Sequence, residues 1–233
     1  MTTDDSTRLL TWNVHKCRGT DGRKDPDRII SVIASAKPDI AVLQEAERRF
    51  GRRKGLLHPE EITKRCGLRL IPATAGSHLS YGWRGNAVLV GPDIEMVSTS
   101  AFPLPGIERR GAVIWRMRKA GKPLIVVGVH LSLIARWRHL QARTIANRIA
   151  SEDPVPTVIA GDMNEWRRDI RSLLPIEKAL GTAPVGGPSF PSGWPVLALD
   201  RIAAGRGAKI ESWSVLKDVS ASDHLPLMAM LRI

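Results

Sequence analysis

Only two cysteines, Cys17 and Cys66, occur in 233 residues, and no C-x-x-C pair is present. That shortage excludes a disulfide framework and a cysteine-built zinc site, so both read as free thiols. There is no H-E-x-x-H pair, and Gly205-Arg206-Gly207-Ala208-Lys209 lacks the spacing of a P-loop, which removes two common metal and nucleotide signatures. No apolar run is long enough to span a bilayer. The opening Met1-Thr2-Thr3-Asp4-Asp5-Ser6 is polar and acidic where a secretory leader is basic and then apolar, so the expected compartment is the cytoplasm. Acidic charge is also scarce: 23 Asp and Glu face 35 Lys and Arg, for a net charge of +12. Of the basic residues 25 are Arg, whose planar forks bind phosphate oxygens two at a time, so anionic partners are expected.

The length fits one undivided domain able to bury roughly three quarters of its unfolded surface. Residues 1–7 read as a flexible N-terminal segment and 8–233 as the domain. Short segments rich in Val, Ile and Leu alternate with turns and a few amphipathic stretches, which is an α/β pattern. Arg8 to Val14 reads as a first strand, followed by a helix with Asp25 at its N-cap, Pro26 at its first position, and Ile29, Ile30 and Ile33 on one face. Further strands are expected at 40–43, 87–90, 94–98, 112–117, 124–129, 157–160, 197–203, 209–215 and 227–231. Residues 134–150 form a basic amphipathic helix, and another helix is expected to contain Arg167 to Leu174.

Apolar strands repeatedly end in a residue that can bind metal or move protons: Asn13, Glu45, His130 and Asp162. In layered α/β proteins strand termini face a common rim, so side chains remote in sequence converge there. Singly, each has a bland explanation as a turn former, a solvated acid or a hydrogen-bonded core histidine. Their joint order carries more weight: Trp12-Asn13-Val14-His15, Leu43-Gln44-Glu45, Gly128-Val129-His130-Leu131, Gly161-Asp162-Met163-Asn164, Leu199-Asp200-Arg201-Ile202 and Ser222-Asp223-His224-Leu225-Pro226. That order resembles the endonuclease/exonuclease/phosphatase superfamily from residue 8 to the C-terminus. The resemblance implies a four-layered α/β sandwich, two mixed β-sheets face to face with helices outside, and a Mg²⁺-dependent phosphoesterase, with Mn²⁺ as the alternative ion.

The same resemblance assigns roles. Glu45 would hold the metal with Asn13 and Asp223 near it, Asp162 would orient or deprotonate water, and Asn164 would donate to water or phosphate. His224 would act at the scissile phosphate with Asp200 as its partner, His130 would donate to a phosphoryl oxygen, and Asn86 would reach the phosphate. Asp162 and Asn164 lie two apart, so an extended segment would point both to one side, with an Asx-turn as the competing conformation. The glutamate that supports the His130-type histidine from an earlier strand in deoxyribonuclease-type members is missing in Arg84-Gly85-Asn86-Ala87-Val88, which resembles the Gly-Asn segment of sphingomyelinase-like members, and the frequent Ser-Arg after that strand is replaced by Val90-Gly91-Pro92.

Arg48 and Arg49, with Arg52, Arg53 and Lys54, follow Glu45 closely and are expected to bind substrate beside the site. Nucleic acid is the first expected partner, through counterion release from its backbone. An anionic phospholipid or inositol phosphate, as in sphingomyelinase-like relatives, is the second. A catalytically inactive nucleic-acid-binding module is the third reading. Trp83, Trp137, Trp166 and Trp194 are candidates for the rim, though most tryptophans are expected to pack.

Overall fold

The computed structural model describes residues 6–47, 55–73 and 83–233. Its strands are β1 (Ser6–Asn13), β2 (Ile40–Gln44), β3 (Arg69–Ile71), β4 (Ala87–Val90), β5 (Ile94–Pro103), β6 (Gly111–Lys119), β7 (Lys122–His130), β8 (Thr157–Asp162), β9 (Asp200–Gly205), β10 (Lys209–Val215) and β11 (Leu227–Arg232). Its helices are α1 (Pro26–Ala36), α2 (Pro59–Cys66), α3 (Ala135–Ala150) and α4 (Leu174–Leu180). One sheet runs β10-β11-β1-β2-β4-β3 and the other β5-β6-β7-β8-β9.

Each sheet has a single parallel pair, β1 with β2 and β7 with β8, and each pair is bridged by a helix, α1 or α3. The rest of the pairing is antiparallel. Strand alternation then sorts the side chains into three layers of core. Leu9, Val42, Val126 and Val158 face inward between the sheets. Leu10, Leu43 and Leu89 turn outward under α1 and α2, while Val127, Val129 and Ile159 turn outward under α3 and α4. Truncating any of these leucines to Ala is the kind of change that costs about 2–5 kcal/mol.

The four-layered sandwich is the architecture the motif order implied, with differences at the edges of elements. β1 begins at Ser6, two residues inside the segment expected to be flexible. α1 is capped as the sequence suggests, Asp25 accepting from the N–H groups of Asp27 and Arg28, but it ends at Ala36 with Lys37 left-handed. The strand expected at 197–203 starts only at Asp200, because Leu197 is held by a local bridge to Phe190. No helix spans Arg167 to Leu174; that stretch is a loop and a 3-10 turn at Arg171–Leu173 leading into α4. The short elements α2 and β3 were not expected, since neither carries a long enough apolar period to stand out. Among the described residues no helix is long and apolar enough to cross a membrane.

Two glycines are required where the sheets close on the functional end. A side chain at Gly128 would come within 2.5 Å of the Trp115 ring, which fills that space between the sheets. Gly161 has φ of 154°, and a Cβ there would overlap the carbonyl oxygen of Val129 on the neighbouring strand. Glycine lets β7 and β8 stay paired up to their last residues, His130 and Asp162.

Candidate active site

The carboxyl ends of both parallel pairs meet at one cleft, the place where open α/β sheets commonly receive ligands. Register does most of the positioning. His130, Asp162 and Asp200 lie side by side across β7, β8 and β9, and Asn13 pairs with Gln44, so that Glu45 is the first residue past β2. The two sheets are tied at this point by Asn13 Nδ2, which donates to Asp162 Oδ2 at 3.0 Å.

Asp162 is the hub. It is 2% exposed. Its Oδ1 accepts the Asn164 N–H at 3.1 Å, and its Oδ2 lies 3.3 Å from His130 Nε2 and 3.9 Å from His224 Nε2. Burial pushes the Asp162 carboxyl up to about 6; the charge of His224 and the Asn13 hydrogen bond pull against it, while Asp200 adds to it. His224 Nδ1 sits 2.8 Å from Asp200 Oδ2, which also accepts the Ser189 hydroxyl at 2.6 Å. Burial is the largest influence on His224 and disfavours its charged form, yet Asp200, by charge and hydrogen bond, together with Asp162 and Asp223, raises it to about 9. His130 behaves oppositely: burial, then the charges of Arg110, His224 and Lys16, hold it well below its ordinary value. At neutral pH the centre thus holds a carboxylate, an imidazolium and a neutral imidazole.

The histidine is also fixed by its backbone. The Trp12 indole donates to the His224 carbonyl at 2.8 Å, and Ser222 Oγ donates to the Asn13 carbonyl at 2.7 Å while accepting the His224 N–H at 3.3 Å. Phe190 lies against the imidazole, with ring centroids 4.9 Å apart.

On the first sheet's side, Glu45 is left-handed, with φ of 53°, and packs over Gly85, where a Cβ would approach its backbone to 3.2 Å. Its carboxylate is ion-paired with the Lys16 ammonium. His15, Lys16, Cys17 and Asn164 are left-handed too. Non-glycine residues in that region cost about 1–3 kcal/mol each, and such strain gathers at functional sites. Asp223 is partly exposed, 3.5 Å from His15 Nδ1.

Asn13, Glu45, His130, Asp162, Asn164, Asp223 and His224 all line one cleft of about 250 Å³, and Asp200 stands behind His224. Asn164 does not extend beside Asp162 as one reading of the spacing had it. The segment closes an Asx-turn instead, and Asn164 Nδ2 donates to the Leu131 carbonyl at 2.9 Å. Asn86 is not in the cleft. It is fully buried, and its amide donates to the carbonyls of Trp83 and Gly111 at 3.2 and 3.0 Å, which leaves it no hydrogen for a phosphate. Arg48, Arg49, Arg52, Arg53 and Lys54 lie outside the described residues.

Several contributors carried no signal in the sequence. Arg110 enters the cleft from the β5–β6 connection, and Leu133, Phe190, Leu197 and Leu199 wall it beside Trp166, which the sequence had offered as a rim candidate. Arg138, buried on α3, donates to the carbonyls of Ser132 and Leu133 at 2.9 and 3.0 Å and to Ser172 Oγ at 2.7 Å, and pairs with Glu165 at 3.2 Å. Ser172 also donates to Glu165. This network ties the connection after His130 to the one after Asn164, and the guanidinium lies 5.3 Å from the centroid of the Trp166 ring. The only signal for Arg138 is its place near the buried face of an otherwise arginine-decorated helix, which reads as solvated until the packing is known. Of the tryptophans, Trp12 and Trp115 are core, while Trp166 and Trp194 are exposed.

The donors suited to a cation are hard oxygens: the Glu45 carboxylate, the Asn13 amide oxygen and the Asp223 carboxylate. Among the described residues no group of three or more His, Cys, Asp or Glu forms a metal cage. A sparse set of this kind fits Mg²⁺, which keeps several waters and takes one or two carboxylates plus substrate phosphate. The Lys16 ammonium on Glu45 marks where positive charge is already accommodated.

A cleft at paired strand ends, with a buried Asp–His–Asp series and an oxygen-ligand rim, defines a phosphoesterase fold. The profile of the Endonuclease/Exonuclease/phosphatase family matches residues 10–224, and the chain belongs to that family. A protein of Escherichia coli (strain K12) described as uncharacterized protein YbhP is 29% identical over 254 residues, covering 98% of this chain and 97% of that one. Among solved structures, the human Nocturnin catalytic domain with bound sulfate superposes with a TM-score of 0.73 at 18% identity, covering 99% of this chain and 96% of that chain. Danio rerio TDP2 complexed with single-strand DNA product gives 0.71 at 16%, covering 99% and 100%. At those identities the likeness is one of fold.

Proposed function

We propose that this protein is a Mg²⁺-dependent phosphodiesterase that cleaves nucleic acid by in-line attack of a water held in the cleft. The observation that carries the reading is the arrangement about Asp162: a buried carboxylate raised to about 6, bonded to Asn13 from one sheet and flanked by His130 and the Asp200-paired His224. Phosphodiester hydrolysis needs the phosphoryl oxygens neutralised, the water aligned and the leaving oxygen stabilised. The Asp162 carboxylate orients the water and takes its proton as the new P–O bond forms and the ester P–O bond breaks. His224, charged at neutral pH, donates to a non-bridging oxygen from Nε2, while Asp200 accepts from Nδ1 and so holds the ring in place and favours its charged form. His130, neutral, stands with Nε2 3.3 Å from Asp162 Oδ2 and donates to a phosphoryl oxygen. Glu45, with Asn13 and Asp223, would hold Mg²⁺, which when bound would supply Lewis-acid stabilisation of the charge that develops on the phosphate ester. Arg110 adds a second charge at the mouth.

A specific feature supports a second substrate class. Leu133 of the cleft is 54% exposed, and the segment that carries the cleft-lining Phe190 and Leu197 also exposes Trp194 (77%) and Val196 (57%). Aliphatic side chains have no face on which a base can stack, whereas they suit the acyl boundary of a phospholipid layer. The test is a panel of plasmid DNA, single-stranded DNA, RNA and anionic phospholipid vesicles, each incubated with Mg²⁺ and, in parallel, with chelator. Metal-dependent strand cleavage is the expected result. Headgroup release with intact nucleic acid would move the assignment to the lipid class, and no turnover on any of them would overturn the phosphodiesterase reading.

A further inference from the structure

We infer that Lys16 is a phosphate-binding residue of this cleft, held on Glu45 until a divalent cation takes that carboxylate. The inference rests on the reading of Glu45 as the metal carboxylate. Lys16 is attached to Glu45 twice: its ammonium pairs with the carboxylate, and its backbone N–H donates to the Glu45 carbonyl at 3.2 Å. The second attachment keeps Lys16 beside the site whatever its side chain does.

The local backbone is adapted to this placement. His15, Lys16 and Cys17 are consecutive non-glycine residues with φ of 44°, 55° and 58°, a run that a merely solvated lysine does not require. The two side chains are only 31% and 24% exposed, so the pair is partly withdrawn from water.

Competition for Glu45 follows from charge. An ammonium and a divalent ion repel each other, so a cation on the Glu45 carboxylate weakens the hold of that carboxylate on Lys16. Lys16 therefore yields Glu45 when the cation is bound, and its four-carbon stem keeps the freed ammonium next to the cleft. A phosphate there offers the negative charge that the ammonium has given up. Arg110, which lines the cleft, donates through Nε to Glu108 at 2.9 Å and so is partly engaged, and the charged His224 is paired with Asp200. Lys16 has no carboxylate partner but Glu45 among the described ion pairs.

The discriminating variant is Lys16→Met, which removes the charge and keeps the stem; Lys16→Gln serves if the first does not fold by circular dichroism. Mn²⁺ affinity is read from the free-ion paramagnetic resonance signal without substrate, and inorganic phosphate affinity by calorimetry on the Mn²⁺-loaded protein. Losing a competing ion pair of this exposure predicts Mn²⁺ binding about fivefold tighter. Losing a charged hydrogen bond predicts phosphate binding at least about tenfold weaker. Lys16→Arg is expected to restore most of the phosphate affinity. Unchanged Mn²⁺ affinity in the neutral variants, or tighter Mn²⁺ with unchanged phosphate affinity, would overturn the inference. Glu45→Gln separates this from an error about the site itself: if Mn²⁺ binding survives that change, the metal reading of Glu45 fails and Lys16 is not at issue.

Discussion

Replacing His224 by Ala lowers kcat by about 10²–10⁴, the usual contribution of a positioned acid–base group, and leaves the folded content unchanged by circular dichroism. The more telling variant is Asp200→Asn. In the parent protein kcat/KM should rise with pH as Asp162 ionises near 6 and fall as His224 loses its proton near 9. Bound cation draws the acid limb lower, since positive charge favours the carboxylate. Asp200 is the strongest influence raising His224, and without its charge burial is opposed only by Asp162 and Asp223, so the imidazolium is less favoured. The alkaline limb of Asp200→Asn should therefore move toward acid by more than one pH unit, while the acid limb stays close to its place. A pH profile with both limbs unmoved would show that the pair is structural and does not set the reactive protonation state.

Arg138→Met is expected to be the most destabilising single change outside the apolar core. It leaves Glu165, 1% exposed, without its guanidinium, and breaking a buried pair in this way costs about 3–5 kcal/mol. For a chain of this size that corresponds to a drop in Tm of roughly 6–20 °C. Activity should fall through KM at temperatures where the variant is folded, because Trp166 and the Ser132-Leu133 connection lose the group that holds them. The double variant Arg138→Met, Glu165→Met should recover part of the lost Tm, since no buried carboxylate is then left unpaired. A Tm within about 2 °C of the parent for Arg138→Met would mean that the network is solvated in practice and positions nothing.

Most of the architecture could be read from the chain because the determinants are local and periodic. Alternating apolar residues such as Leu9 with Leu10, and Val126 with Val127, sort themselves to opposite faces, and Asp25-Pro26 announces α1 through capping chemistry. Asn13, Glu45, His130 and Asp162 stood out because each ends an apolar run, and the register of β7, β8 and β9 explains why two of those ends become neighbours with Asp200, at the start of β9, beside them. What escaped the sequence depends on packing between distant segments. The spacing of Asp162 and Asn164 gave no sign of which would win, extension or an Asx-turn, and the turn wins because it satisfies both the Asn164 N–H and the Leu131 carbonyl. Asn86 looked like a phosphate ligand by its motif, but the turn at Trp83 and the end of β6 both need its amide hydrogens. Arg110, Arg138 and Phe190 have no distinctive neighbours in sequence, and their importance comes only from tertiary packing: connections carry Arg110 to the cleft and Phe190 against His224, and α3 sets Arg138 against Glu165.

Hydrolysis of a chromogenic phosphodiester by chelator-stripped protein, titrated with Mg²⁺, tests most directly whether this cleft is a metal-dependent phosphoesterase centre. Turnover should be absent before Mg²⁺ is added and should saturate with it. Glu45→Gln should need at least about tenfold more Mg²⁺ or remain inactive, as expected when a charged ligand is lost. Full turnover in excess chelator, or a Glu45→Gln protein that responds to Mg²⁺ as the parent does, would contradict it.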